Sequence, residues 1–112
     1  MASVDELYGE AEKLKDAGEY EACVAKLEEA ITADANHVLS RLAMAVVLAK
    51  LNRHEEAIQH GEHACAVDPS DWFNFTALSQ TYVKALVATN NLVYKDKAEE
   101  AMARGQMLQQ GG

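Results

Sequence analysis

Apolar residues recur along most of the chain at spacings of three and four, which is the periodicity of an amphipathic helix. Short breaks interrupt this pattern: Gly18 and Asn52 can take the left-handed conformation that ends a helix, and Pro69 cannot continue one. At the start of the first helix, Ser3 and Glu6 have the spacing of a capping box. Runs of alternating β-branched residues are missing, so the prediction is all-α. The predicted helices span about 4–17, 20–33, 38–51, 54–67, a fifth beginning at residue 72, and about 96–109. Asn36 is the predicted cap of the third helix, and Ser70 or Asp71 that of the fifth.

The pattern itself repeats, with a period that lies in the range of helical repeat architectures. Gly18 and Asn52 are one period apart, and six further pairs share this separation: Ala11 and Ala45, Leu14 and Leu48, Ala30 and Ala64, Asp34 and Asp68, Glu21 and Glu55, and Glu28 and Glu62. A third unit begins at Trp72, but Ala98 takes the place of Cys23 and Ala57 only if seven extra residues separate its two helices. We expect these residues to lengthen the fifth helix or its loop. The predicted repeats are therefore 4–37, 38–71 and 72–110, within a single domain 1–112.

On these residues the chain resembles the tetratricopeptide-repeat (TPR) family, whose units are helix–turn–helix elements of about 34 residues. Matching positions are Gly18, Tyr20, Pro69 and the small residues of the helices, which are Ala11, Ala30, Ala45, Ala57, Ala64 and Ala98. The position where the family usually has a bulky aromatic residue holds Leu7, Arg41 and Phe75 in the three units, and Gly61 and Gly105 replace larger residues. The resemblance implies a right-handed α-solenoid of about three repeats that acts as a protein-interaction module rather than an enzyme.

The resemblance also implies a binding groove on the concave face, which the first helix of each unit lines. In the first unit the groove residues are Asp5, Tyr8, Glu12 and Lys15; in the second, Leu39, Leu42, Val46 and Ala49; in the third, Phe73, Thr76, Gln80 and Val83. Each set forms one stripe along its helix. The first stripe is acidic, the second is wholly apolar and the third is mixed.

The third helix is apolar on almost all sides, and such a helix should be buried all round. Something is therefore expected to cover Leu39, Leu42 and Val46. Three interpretations remain open: a peptide or amphipathic helix of a partner, this chain's own last helix folded back, or a second copy in a homodimer that serves assembly.

Charge narrows the class of partner. The net charge is −8, and residues 1–37 carry ten acids and three bases, or −7 of that total. This acidity argues against nucleic acid or an anionic membrane and favours a partner with some basic residues. Many relatives grip the C-terminal carboxylate of chaperone tails, but the matching positions here hold Tyr8, Glu12, Ala43, Phe73 and Ala77, none of which is a cation or an amide. We therefore expect a partner other than a chaperone tail.

Other chemistry has weaker support. Cys23 and Cys65 occupy small-residue positions and are expected to be buried, and no phosphate loop or other cofactor motif occurs, so no cofactor is expected. Glu56, His60 and His63 share a helix stripe and are a weak candidate for a metal site, and for a metal-binding or enzymatic role. No signal peptide or apolar run long enough to span a membrane is evident, so a cytoplasmic protein is expected.

Overall fold

The computed structural model describes residues 2–111, and this part of the chain forms six α-helices. They are α1 (Val4–Asp16), α2 (Tyr20–Ala33), α3 (Val38–Lys50), α4 (His54–Val67), α5 (Trp72–Thr89) and α6 (Val93–Gly111). Helices packed side by side in chain order, with extra contacts between α1 and α3 and between α3 and α5, make an open array of helix pairs. The all-α repeat solenoid predicted from the sequence is confirmed. None of these helices has the length and hydropathy needed to cross a membrane within residues 2–111.

The turns inside the first two units have the same hydrogen bonds, one sequence period apart. Gly18 and Asn52 both have positive φ, 78° and 62°. In the first turn the Glu19 amide donates to the Leu14 carbonyl at 2.9 Å, and in the second the Arg53 amide donates to the Leu48 carbonyl at 2.8 Å. These bonds link the residue just beyond the turn to the last turn of the helix and satisfy otherwise unpaired carbonyls. The period in the sequence is therefore a period in the backbone.

The helix caps agree with the sequence at two sites and differ at one. Ser3 and Glu6 form the predicted capping box, and Asp71 caps α5 by accepting from the Phe73 amide at 2.9 Å. Asn36, however, does not cap α3. Its amide donates to the Asp34 side chain at 3.0 Å, which places Asn36 in the turn. The cap is His37, whose Nδ1 accepts from the Ser40 amide at 3.3 Å.

The seven extra residues of the third unit lengthen both of its helices. The last two helices have 18 and 19 residues, against 13 and 14 in the second unit. The fifth ends where Asn90 takes the left-handed conformation, with φ of 61°. The sixth begins at Val93, three residues before the predicted start at Asp96, because the Asn91 side chain accepts from the Val93 amide at 3.1 Å and starts the helix there.

The core has two parts that meet on α4. One joins the first four helices and includes Ala11, Cys23 and Ala57. The other joins the last three helices and includes Ile58 and Cys65 of α4. Because the adjacent residues Ala57 and Ile58 face opposite parts, this helix couples the first two units to the third.

Two buried polar side chains fix the third unit in place. Asn74 is 1% exposed, and its amide group donates to the Ala64 and Asp68 carbonyls at 3.4 and 3.3 Å. Ser79 donates to the Ala98 carbonyl at 2.9 Å and links α5 to α6. Buried polar groups need such partners because leaving one unpaired costs about 1–3 kcal/mol.

Two glycines provide a test of the repeated turn. A Cβ added at Gly9 or at Gly18 would meet no atom within 4 Å, but only Gly18 has positive φ. We expect Gly9→Ala to raise the free energy of unfolding by about 0.5–1 kcal/mol, through lower backbone entropy of the unfolded chain. Gly18→Ala should lower it by about 1–2 kcal/mol, because its Cβ would sit in a left-handed backbone. Urea unfolding followed by circular dichroism measures both, and effects of the same sign would contradict this account of the turn.

Candidate functional site

A cavity opens into the groove between α3 and α5. Its volume is about 160 Å³. The structure brings four of the predicted groove residues together around it: Leu42, Val46, Phe73 and Gln80. The remaining lining residues are Ala45, Gly61, Ala77, Leu78, Thr81 and Lys84. The walls of this cavity are therefore mainly apolar.

The stripe of α5 that faces α3 differs from the predicted one. Phe73, Ala77, Gln80 and Lys84 line the cavity, at spacings of four, three and four. The Thr76 hydroxyl instead lies 3.2 Å from the position that a Cβ on Gly105 would take, and so points toward α6.

Val83 is likewise turned toward α6, where it lies with Met102 and Gln106. The pattern of three and four alone fits either stripe, because both are helical. The choice is made by where α6 packs. Lys84 was therefore missed, and Ala77 was noted only as a position matched to the tail contacts of relatives, although their spacing from Phe73 and Gln80 is itself a helical signal.

Several apolar side chains at the groove are open to solvent. Leu39 and Phe73 are each 53% exposed and Val46 is 42% exposed. Leu42 is half-buried, and Ala49 packs partly into the first core. Within residues 2–111, α6 packs against α5 alone and does not reach α3. The hypothesis that the chain's own last helix covers α3 is therefore wrong, because the long α6 is held along α5.

The α1 end of the groove is polar and internally paired. Asp5 lies 3.4 Å from Nε2 of His37, and the Tyr8 ring meets the His37 ring edge-on with centroids 5.7 Å apart. Glu12 pairs with Lys15 at 3.2 Å. Burial raises the pKa of the Tyr8 hydroxyl, and the nearby Glu12 carboxylate adds to this. Tyr8 is half-buried and packs against the first core, whereas the Asp5 side chain is exposed and that of Glu12 is partly buried.

The groove is not without hydrogen-bond donors. Ala43, one of the positions matched to the chaperone-tail contacts of relatives, is buried in the first core and faces away from solvent. Gln80 and Lys84, one turn apart on α5, do line the cavity and offer an amide and an ammonium group. Gln80 is one of the predicted groove residues, but neither donor stands at a position matched to the chaperone-tail contacts of relatives.

The candidate metal ligands Glu56, His60 and His63 do not come together as a metal site. Glu56 accepts two hydrogen bonds from Arg53, one of them at 3.0 Å. Nδ1 of His60 accepts from Arg41 at 3.0 Å, and Nε2 of His63 lies 3.2 Å from the side-chain oxygen of Asn36. Among residues 2–111, no three side chains of His, Cys, Asp or Glu are close enough together to hold a metal ion. The three candidates serve instead as partners of neighbouring helices and turns.

The thiols of Cys23 and Cys65 are buried and not placed to react. Cys23 is fully buried, and its Sγ donates to the Ala11 carbonyl at 3.2 Å. Burial raises the pKa of the Cys23 thiol, and it raises the pKa of Cys65 to about 11. A buried thiol with a raised pKa is protonated at neutral pH and is a weak nucleophile.

The surroundings of His60, including its contact with Arg41, shift the pKa of this histidine in a way that can be measured. Burial lowers the pKa of His60, and the neighbouring Arg41 and His63 add to the effect. Since an unfolded histidine titrates near pH 6.5, the folded protein binds this proton only at lower pH. The related stability is complete above about pH 6.5 and is lost as the pH falls through the pKa of folded His60.

We expect Arg41→Gln to raise the pKa of His60, because it removes a nearby positive charge. Titration of the imidazole signals by NMR measures this. Arg104→Gln is the control. Arg104 is on α6 and lies over the ring of Phe75, so it is not a partner of His60. An unchanged His60 pKa in Arg41→Gln would show that the arginine does not act on this imidazole.

Comparison with known proteins identifies the fold. No protein-family profile and no curated protein matches the chain. Among solved structures, the chain is similar to the second TPR domain of Spaghetti (RPAP3) bound to the HSP90 peptide SRMEEVD. The TM-score is 0.77 at 19% sequence identity, and the match covers 95% of this chain and 92% of that chain. The TPR-like fold predicted from the sequence is therefore confirmed: this chain is an all-α domain with the architecture of a tetratricopeptide-repeat domain.

Proposed function

We propose that this chain is a protein-interaction module that binds a peptide or amphipathic helix of another protein in the groove between α3 and α5. The observation that carries the proposal is the row of exposed apolar side chains, Leu39, Val46 and Phe73, beside an apolar cavity. Exposed apolar patches of this kind mark interaction surfaces. The fold neighbour binds a peptide, which supports a peptide or protein as the class of ligand.

The expected partner combines apolar and basic residues. Fully burying a Leu, Val or Phe side chain stabilises a complex by about 1.5–3 kcal/mol, so the apolar residues are expected to provide most of the affinity. The acidic first unit, with Asp5, Glu12 and Asp16 on α1, would orient basic groups and speed encounter.

The proposed ligand is not a chaperone tail. Two observations bear on this choice, one in favour of such a tail and one against it. The neighbour's peptide SRMEEVD has three acidic side chains and one basic one, so the same fold does accept an acidic ligand. Against this, Glu12 occupies one of the positions matched to the carboxylate contacts of relatives, and Phe73 and Ala77 occupy two others. An acidic peptide would need cationic partners that these positions do not offer.

Substitution of the apolar wall tests the groove. We expect Leu42→Asp and Val46→Asp to abolish capture of partner proteins from a native cell extract, because each places a carboxylate where apolar surface would be buried. Val87→Asp is the matched control: Val87 is 79% exposed near the end of α5 and does not line the cavity. Circular dichroism first establishes that all three variants are folded.

Capture that is the same for the groove variants and the control would contradict the groove proposal. In that case the second candidate, a homodimer whose seam is this apolar face, becomes the better explanation. Light scattering at high protein concentration decides between them. A dimer that Val46→Asp converts to a monomer favours self-association, and a monomeric wild-type protein excludes it.

Charge provides a separate test of partner class. We expect the peptide SRMEEVD to bind far more weakly than a captured partner segment, and added salt to weaken the partner segment's binding, because screening reduces attraction to the acidic first unit. Fluorescence anisotropy with labelled peptides measures both. Tight SRMEEVD binding that Leu42→Asp or Val46→Asp abolishes would show that the groove does accept chaperone tails.

An enzymatic role has little support in the described residues. His37 lies between Asp5 and Ser40, at 3.4 Å and 2.7 Å, an order that is also found in hydrolases. Ser40 has no exposed surface, however, and the same Nδ1 of His37 caps α3. A substrate cannot reach this hydroxyl, so the three residues are best explained as a structural link between α1 and α3. We propose a non-enzymatic module that needs no cofactor and works in the cytoplasm.

A further inference from the structure

One glycine sits where the repeat calls for a large core side chain. Leu27 of α2 is fully buried and fills the space between the helices of the first unit. The residue one period later, on α4, is Gly61. The second unit therefore lacks the side chain that closes this part of the core in the first.

The missing side chain leaves space beside the groove. Gly61 lines the cavity of about 160 Å³ described above. The nearest atom to an added Cβ is Cδ1 of Leu78, at 3.0 Å, so Leu78 fills part of the space from α5. Thr81 also lines the cavity, but its hydroxyl donates to the Ala77 carbonyl at 3.1 Å and so is already paired. Apolar cavities of about 150 Å³ can hold a benzene-sized group.

The rim of this cavity has a definite charge. Lys84 is the one charged side chain among the ten that line it. Lys84 is exposed and forms no ion pair with another side chain of residues 2–111. Its neighbour Gln80 adds an amide group to the same edge. An apolar pocket with a free ammonium group at its rim is complementary to an aliphatic side chain that has a carboxylate next to it.

We propose that the cavity at Gly61 is an anchor site for one branched aliphatic side chain of the partner, with an adjacent carboxylate held by Lys84. This inference rests on the proposed function and names the residue class that the groove selects. Helix α3 lies between the acidic α1 and α5, the helix that carries Lys84. A partner segment would therefore have a carboxylate beside its anchor and basic residues on the other side. A single carboxylate is what one lysine can pair, whereas SRMEEVD brings three acidic side chains.

Three small probes separate the two parts of the site. N-acetyl-leucine has both the side chain and the carboxylate, N-acetyl-leucinamide lacks the charge, and N-acetyl-alanine lacks the branched side chain. Binding is followed by NMR of the methyl groups of Leu42, Val46 and Leu78. We expect N-acetyl-leucine to bind about tenfold more tightly than N-acetyl-alanine, because the cavity encloses the additional carbons. It should bind about two- to fivefold more tightly than the amide, as for an exposed ion pair.

Variants assign these differences to the named residues. Ala77→Leu fills the cavity from the groove side, and Gly61→Ala fills it from α4 by moving Leu78. Each is expected to reduce the preference for leucine over alanine to less than about twofold. Gly9→Ala is the matched control, because Gly9 is in α1 and a Cβ there would meet nothing within 4 Å. Lys84→Met should remove the preference for the carboxylate while the preference for leucine remains.

The outcomes distinguish this inference from the proposal on which it rests. Methyl shifts at Leu42, Val46 and Leu78 that show both preferences, and that the variants abolish as stated, support the anchor site. If no probe shifts these methyl groups, or if Ala77→Leu and Gly61→Ala bind the probes as the wild type does, the anchor site is wrong. Partner capture that is still lost in Leu42→Asp would then keep the groove proposal while rejecting the anchor.

Discussion

The close packing of helices through small side chains is the constraint on which the rest of this structure depends. Ala11, Ala30, Ala57 and Ala64 have no exposed surface, and they lie at the contacts between neighbouring helices. Small residues at these positions let the helix backbones approach, and the helix pairs can then stack at regular intervals. The contact from Cys23 Sγ to the Ala11 carbonyl, at 3.2 Å, gives the scale of that approach. A larger side chain in any of these slots would separate two helices and shift every later unit of the array.

Two helical positions, Gly105 and Gly61, have no side chain at all, and the consequences for packing are opposite. At Gly105 the neighbouring helix occupies the space that a side chain would take. An added Cβ would lie 3.3 Å from the Trp72 carbonyl and 3.2 Å from the Thr76 hydroxyl. The sixth helix therefore lies close along the start of α5. At Gly61 the neighbouring Leu78 takes up only part of the space, and a cavity remains. One glycine thus sets the packing of the last helix, while the other leaves an opening in the concave face.

Much of the fold was predictable because its signals are local. The helix ends at Gly18, Asn52 and Pro69, and the regular period between them, depend on backbone preferences that act within a few residues. The same reasoning failed where a choice depends on competition or on distant packing. Asn36 and His37 both have side chains that can cap a helix, and only the turn formed by Asp34 decides in favour of His37. Of the four residues predicted on α5, Phe73 and Gln80 line the cavity, whereas Thr76 and Val83 lie toward α6, whose position the local pattern does not specify.

The exposed face of α3 is the feature that core packing does not explain. Ala43, Val47 and Leu48 already fill the contacts of this helix with the first unit, and each is buried. Leu39 and Val46 are mostly outside these contacts, so polar replacements at either position would remove little buried surface from the folded chain. Apolar residues at such positions increase the tendency to associate without a matching gain in stability. In the proposed function these side chains contact the partner, and the cavity between Gly61 and Lys84 would give that contact a defined shape and charge.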